Sequence, residues 1–346
     1  MTREPSAFDG KRMGSLVRSF RGRRILVLAD LVVDEFVYGR AERVSREAPV
    51  LILRHDHTER RLGGGANAVH NIKTLGGRPI PLGFVGPDEA GRDLVSLLRE
   101  REIPAGHVRS LPGYETPIKS RVLGGGTHST KQQVVRIDRV TPLTRPASAR
   151  QAVSAALRGF SGRVDGVLVS DYGMGLLDGP TVAAAVAFAR KRRIPVTVDS
   201  RFGLLGGKGM TAVTPNEPEV EAALGIAIGH DRAKLELAGA ELLRRLGSAA
   251  VLVTRGSDGM ALFEKGRPPV HIPVFGTDQV ADVTGAGDTV IATFTLALAS
   301  GATPHEAARL ANYAGGIVVM KHATSTVSAE ELRAALELDL CGEDPR

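Results

Sequence analysis

The sequence predicts an α/β fold: a doubly wound, mostly parallel sheet with helices on both faces and a small antiparallel β lid. Three observations carry this. Short runs of consecutive apolar residues recur along the chain with helical stretches between them, the pattern of strands buried on both faces. Two segments in the N-terminal half alternate polar and apolar residues instead, as antiparallel strands do. Hydrophobic residues make up 42% of the 346 positions, enough for a sizeable core.

The elements follow in order. Residues 1–22 are polar and basic and read as a loose N-terminal arm with a short helix. The main domain is expected over 23–338, and 339–346 as a C-terminal tail. "RILVLAD" (24–30), "PIPLGFVG" (79–86), "DGVLVSD" (165–171), "IPVTVDS" (194–200), "MTAVTPN" (210–216) and "AAVLVTRG" (249–256) read as strands. "AVHNIKTLGG" (68–77), "EAGRDLVSLLRE" (89–100) and 179–193 have helical spacing, and "VIATFTLALASGA" reads as a buried helix. The alternating segments, 34–61 and 116–140, would form the lid over the strand ends, where open α/β sheets bind ligands.

Composition excludes several functions. A single cysteine, Cys341, rules out a disulfide framework and a multi-cysteine zinc site, and points to a reducing, cytoplasmic setting. No 18-residue apolar span or signal-peptide pattern occurs, so no membrane partner is expected. The net charge of +7 is spread along the chain, and its densest clusters, 11–24 and 190–193, are not interleaved with aromatics. Nucleic acid is therefore not expected as a partner. "HDH" (55–57) has no third ligand nearby, so it is not read as a metal site.

The chemistry begins at "DVTGAGDTV" (282–290). A helix N-terminus offers free amides and partial positive charge, and glycines let an anion approach them. Gly285, Ala286 and Gly287 could cradle a phosphoryl group, with each oriented donor contributing roughly 3 kcal/mol in the transition state. Asp288 cannot usefully bind phosphate but can accept a proton from an attacking hydroxyl. Read alone, an ordinary glycine turn that opens a helix remains the stronger alternative. No Walker motif and no G-x-G-x-x-G after the first strand is present.

Taken together, "RLGGGANAVHNIKTLGG" (61–77), "TPNEPE" (214–219), "VTRGSDG" (253–259) and "DVTGAGDTVIATF" (282–294) resemble, in order and spacing, the signatures of the ribokinase/PfkB superfamily of sugar kinases. The resemblance covers about residues 23–335 and outweighs the simple-turn reading of Asp288. Within the superfamily, "ADLVVDEFVYG" (29–39), "RVSREAPV" (43–50), "KQQVVRID" (131–138), "VSDYGMG" (169–175) and "TSTVS" (324–328) are most similar to the D-glycero-β-D-manno-heptose-7-phosphate kinases of ADP-heptose synthesis. That resemblance implies a ribokinase-like fold and ATP-dependent phosphorylation of the C1 hydroxyl of heptose 7-phosphate. Bifunctional members add an adenylyltransferase; no H-x-G-H occurs here, so only the kinase step is carried over. Met174 stands where that group has Lys, "DSRF" (199–202) where D-P-K-G is expected, and Arg46 where it has Pro; 124–130 resembles a lid insertion.

The resemblance also implies roles. Asp288, with Gly285, Ala286 and Gly287, is the catalytic set. Asp34, Gly63, Gly64, Asn67 and Asp171 would contact the sugar, and Lys119, Arg121, Arg136 or Arg201 its phosphate. Asn216 and Glu219, three residues apart on a starting helix, would act through Mg²⁺ on the phosphates of ATP, although the same pair could simply cap that helix. Thr254, Arg255 and Gly256 would lie along the nucleotide, and Asn312 near adenine. Asp282 and Thr284, with carbonyls near Ala323 and Ser325, resemble a monovalent-cation loop suited to K⁺, or an ordinary turn. The lid could pair with a second lid in a homodimer. The alternatives are a PfkB-type kinase for another sugar, sugar phosphate or nucleoside, and a non-catalytic sugar-binding regulator, against which the intact GAGD argues.

Overall fold

The structure, a computed structural model, describes residues 10–126, 131–143, 146–276, 281–321 and 323–341. Helix α1 (Gly10–Ser19) precedes β1 (Arg24–Ala29), which passes through Asp30 into the long β2 (Leu31–Val44). β3 (Leu51–Gly64) returns and leads into α2 (Gly65–Thr74), β4 (Arg78–Val85), α3 (Glu89–Glu100) and β5 (Val108–Ser110). β6 (Ile118–Gly125) and β7 (Gln132–Arg139) complete the lid, and α4 (Pro146–Gly159) leads back to the main layer. There β8 (Gly166–Asp171), α5 (Gly179–Arg192), β9 (Val196–Ser200), β10 (Ala212–Val213), α6 (Glu217–Leu224), α7 (Arg232–Leu246) and β11 (Ala250–Thr254) alternate. β12 (Met260–Glu264), β13 (Val270–Ile272), α8 (Ala286–Ala299), α9 (Pro304–Val319) and α10 (Ala329–Cys341) follow.

The nine-stranded main sheet runs β13-β12-β11-β10-β9-β8-β1-β4-β5, parallel from β11 to β5 and antiparallel at the β12–β13 edge. Alternate residues of each strand face opposite layers. Ile25, Val27 and Ala29 of β1 join the core that holds α1, α2, α3, α8, α9 and α10. Leu26 and Leu28 join the one beneath α4, α5, α6 and α7. From β1 the chain moves one way to β4 and β5, and later the other way to β8 and β9. The strand order therefore reverses between β1 and β8, where a crevice opens at the carboxyl ends.

The short helix expected within 1–22 is α1, whose Met13, Leu16 and Val17 are buried in the core together with Phe20. The lid is mostly antiparallel, as the alternation predicts, with one parallel pair. Its order is β3-β2-β6-β7, and β2 pairs in parallel with β6 because the chain leaves the lid for α2, β4, α3 and β5 before returning. The expected tail is helical through Cys341, and 342–346 lie outside the described residues, as do 127–130 of the expected lid insertion.

Candidate active site

Side-chain caps satisfy the free amides at the starts of six helices, and two others lack one. Asp88, Asp178, Asn216, Asp231, Thr303 and Ser328 each accept a backbone N–H at the starts of α3, α5, α6, α7, α9 and α10. α2 and α8 begin instead at Gly64 and Gly285, with no side-chain cap. Their starts converge. Asn67, in the first turn of α2, donates to Asp288 Oδ2 (3.1 Å) in the first turn of α8. Gly285 has φ 81°, and a Cβ there would lie 2.5 Å from Asn67 Nδ2, so only glycine allows the approach. A Cβ at Gly287 would meet nothing within 4 Å, leaving open space above the amides of Gly285, Ala286 and Gly287.

Asp288 itself is 2% exposed. The Tyr172 hydroxyl donates to its other oxygen, Oδ1, at 2.7 Å. Burial raises its pKa to about 6 against the two hydrogen bonds, Asp34 adding to the rise and Lys119 opposing it. It is an ionised carboxylate near neutral pH with raised basicity, the property a proton acceptor needs.

Asp34 lies at the lid base, near the start of β2, which continues the chain from the end of β1. Its oxygens accept from Arg121 Nη1 (2.9 Å) and Thr324 Oγ1 (2.7 Å). A Cβ on Gly63 would lie 2.8 Å from both of those oxygens, so the glycine makes room for the carboxylate. Gly64, at φ 51°, turns the chain into α2. Of the four candidate phosphate anchors, Arg121 is thus committed to Asp34, and Arg136 pairs with Asp138 on β7 (2.7 and 2.5 Å). The other two converge on Tyr172: Lys119 Nζ lies 4.3 Å and Arg201 Cζ 4.5 Å from the ring centroid. Lys119 is buried, which lowers its pKa to about 8, aided by Arg201.

The floor of the crevice is a carboxylate pair at the ends of β1 and β8. Asp30 Oδ2 accepts from the amides of Tyr172 (2.9 Å) and Met174 (3.1 Å). Asp171 accepts from Gly173 N (2.9 Å) and Ser200 Oγ (2.6 Å). Burial, then the neighbouring Asp171, raises the Asp30 pKa to about 7. Asp171, read as a sugar contact, therefore also fixes the loop that carries Tyr172. Met174 is buried, and Arg201 follows the end of β9.

On the other flank, Asn216 and Glu219 form a reciprocal capping box on α6 (2.8 and 2.9 Å). Burial still raises the Glu219 pKa, and burial followed by Glu219 raises that of Asp199 well above the ordinary range. Thr254 bridges to Asn216, bringing the two motifs side by side. Arg255 is held by Glu217 (2.8 Å) and Asp258 (3.2 Å), next to Gly256 at φ 55°. Asn312 donates to Pro273 O (2.8 Å), tying α9 to the segment after β13.

Asp282 accepts from Thr284 N (2.9 Å) and Ala323 N (3.1 Å), and Ala323 has φ 58°. The candidate cation loop is thereby closed on itself around a carboxylate, with Ser325 two residues beyond Ala323.

Sequence reasoning did not single out Tyr172, Thr324, Asp199 or Asp30 as site residues.

The pfkB family carbohydrate kinase profile matches residues 30–136 and 202–332. Bifunctional protein HldE of Geobacter metallireducens is 42% identical over 325 residues, which cover 94% of this chain and 65% of that protein. The protein of the same name from Pelobacter propionicus is 38% identical, over 95% and 66%. The chain thus spans just under two thirds of the length of these relatives. Among solved structures, phosphofructokinase-2 of Escherichia coli in complex with potassium superposes with a TM-score of 0.72 at 20% identity, covering 91% of this chain and 98% of that one. Arabidopsis thaliana ribokinase complexed with ribose and ATP gives 0.68 at 20% identity, covering 91% and 99%. At that identity these structures speak for the fold, which is ribokinase-like.

Proposed function

This chain belongs to the pfkB family of carbohydrate kinases, and from that premise we propose that it transfers the γ-phosphoryl group of ATP to the C1 hydroxyl of D-glycero-D-manno-heptose 7-phosphate, with Asp288 as general base. The observation that carries the reading is the buried Asp288 at the meeting point of two helix starts without side-chain caps. The acceptor hydroxyl gives its proton to Asp288 while its oxygen forms a bond to the γ-phosphorus. The bond to the β,γ-bridging oxygen breaks, and its electron pair leaves with ADP. The amides of Gly285, Ala286 and Gly287 are the donors for charge on the transferred group.

The heptose-phosphate assignment draws on the similarity to the two HldE proteins and on the cations at the lid base. Asp34 and Asn67 would hold sugar hydroxyls, and Lys119 and Arg201 the distal phosphate. Arg121 and Arg136, paired with Asp34 and Asp138, are weaker anchors. Among the described residues no cluster of three or more His, Cys, Asp or Glu side chains could by itself hold a metal ion. The adjoining Asp199 and Glu219 carboxylates suit Mg²⁺, which takes few protein ligands and fills its shell with water and phosphate. When bound, Mg²⁺ would neutralise phosphate charge. The carboxylate and backbone of the 282–284 and 323–325 loops are oxygen donors of the kind K⁺ takes.

One experiment tests the assignment of the base. Asp288→Asn should bind ATP with ordinary affinity and lose about 10²–10⁴-fold in kcat. Near wild-type kcat would remove Asp288 from that role.

A further inference from the structure

Tyr172 belongs to no role assigned above, yet its hydroxyl sits on the catalytic carboxylate. The phenol occupies Oδ1 of Asp288 at 2.7 Å, and Asn67 occupies Oδ2 at 3.1 Å. One hydrogen bond thus sits on each oxygen of a carboxylate that is 2% exposed, and the phenol occupies a site on Oδ1 that an acceptor hydroxyl could take. The ring of the same tyrosine carries the two site cations that the other carboxylates leave alone. Lys119 Nζ and Arg201 Cζ lie 4.3 and 4.5 Å from its centroid. Among the described residues, Arg121, Arg136 and Arg255 have carboxylate partners at 2.5–2.9 Å, whereas neither Lys119 nor Arg201 has a carboxylate within salt-bridge distance. An ammonium and a guanidinium over a π face are held far more weakly than by a phosphate, which offers charge-assisted hydrogen bonds.

We propose that Tyr172 is a positioning residue that makes base availability depend on the acceptor's own phosphate. When a phosphorylated sugar binds, its phosphate draws Lys119 and Arg201 off the Tyr172 ring. The loosened ring withdraws its hydroxyl from Asp288 Oδ1, and the acceptor hydroxyl takes that place. An unphosphorylated sugar of the same ring geometry leaves the cations on the ring and the base covered. The inference rests on the proposed sugar-phosphate kinase activity and adds the source of its specificity.

The surrounding charges set what the test reads. Burial and Asp34 raise the base, while the Tyr172 and Asn67 hydrogen bonds and Lys119 lower it. Burial, Asp288 and Asp199 raise the Tyr172 phenol, and Arg201 opposes them. Removing the hydroxyl takes a donor from the ionised base and raises its pKa in the free enzyme, which kcat/KM reports.

The experiment compares wild type with Tyr172→Phe, which keeps the ring, on heptose 7-phosphate and unphosphorylated heptose with ATP across pH 5–8. The expected result has two parts. The ratio of kcat/KM for the phosphorylated over the unphosphorylated sugar falls at least about tenfold, the usual scale of one charge-assisted contact, through a gain on heptose. The acid limb of kcat/KM also moves to higher pH. If either the ratio or the limb stays in place, the coupling is overturned. Should Tyr172→Phe fold poorly, Arg201→Gln at an exposed position replaces it. That variant must gain on heptose while losing on heptose 7-phosphate, and equal losses on both overturn the proposal. A wild-type enzyme that phosphorylates no sugar phosphate removes the proposed function and this inference together. An active wild type with an indifferent Tyr172→Phe removes the inference alone.

Discussion

Asp288 accepts a hydrogen bond on each oxygen while almost wholly buried, and its pKa is raised to about 6 by that burial. A general base works only when ionised, so the proposed mechanism predicts that kcat/KM falls as pH drops through about 6. A pH–rate profile flat from 7.5 down to 5 would speak against a base in this position. Much of the residue scale was legible in sequence. The GAGD turn stands out by type and spacing, the resemblance to sugar-kinase signatures names Asn67 and Asp34, and the structure brings Asn67 against Asp288 and Gly63 against Asp34. Tyr172 was not, because one aromatic at a strand end has no periodicity and its partner lies 116 residues away. Nor does sequence say that Arg121 is neutralised by Asp34 across a parallel strand pair.

At the scale of elements, the capping box on α6 and a phosphate-side role for Glu219 make different demands. A glutamine keeps the acceptor oxygen that takes the Asn216 amide but removes the charge. Glu219→Gln should therefore leave Tm nearly unchanged, lower kcat and raise the Mg²⁺ concentration for half-maximal rate. An unchanged Mg²⁺ profile would leave Glu219 as a cap only. The ends of β1 and β8 give a second prediction. Asp30 has its folded pKa raised to about 7 by burial and by Asp171. A group raised on folding supports stability below its unfolded pKa and loses that support as pH rises through the folded value. The Tm of Asp30→Asn relative to wild type should accordingly rise from pH 5 to pH 8, as scanning calorimetry would record; a constant difference would refute the assigned shift. Apolar runs announced β1, β4, β8, β9 and β11, which are buried on both faces. The three-residue edge strands β5 and β13 were not legible, being too short for any period. Alternation marked the lid strands but carries no direction, so the parallel β2–β6 pairing could not be foreseen.

For the molecule as a whole, the crevice at the reversal between β1 and β8 gathers both helix starts, the lid base and the carboxylate pair. The lid also bears the most conspicuous exposed apolar surface. β7 is exposed along its whole length, with Val134 50%, Val135 46% and Ile137 52% exposed on alternating faces, and Val44, Val50 and Leu51 are exposed at the lid tip. A sheet with neither face of an edge strand covered favours pairing with a second lid. Light scattering should give a dimer mass at micromolar concentration that Ile137→Glu reduces to monomer, and a monomeric wild type would contradict this. The central claim is the sugar-phosphate kinase activity, and the most direct measurement is a panel of heptose 7-phosphate, unphosphorylated heptose, ribose and fructose phosphates with ATP, read by product mass and by the position of the new phosphate. The account predicts the highest kcat/KM for heptose 7-phosphate, with the new phosphate on C1. Highest kcat/KM on an unphosphorylated sugar, or phosphorylation at another carbon of the heptose, would contradict it.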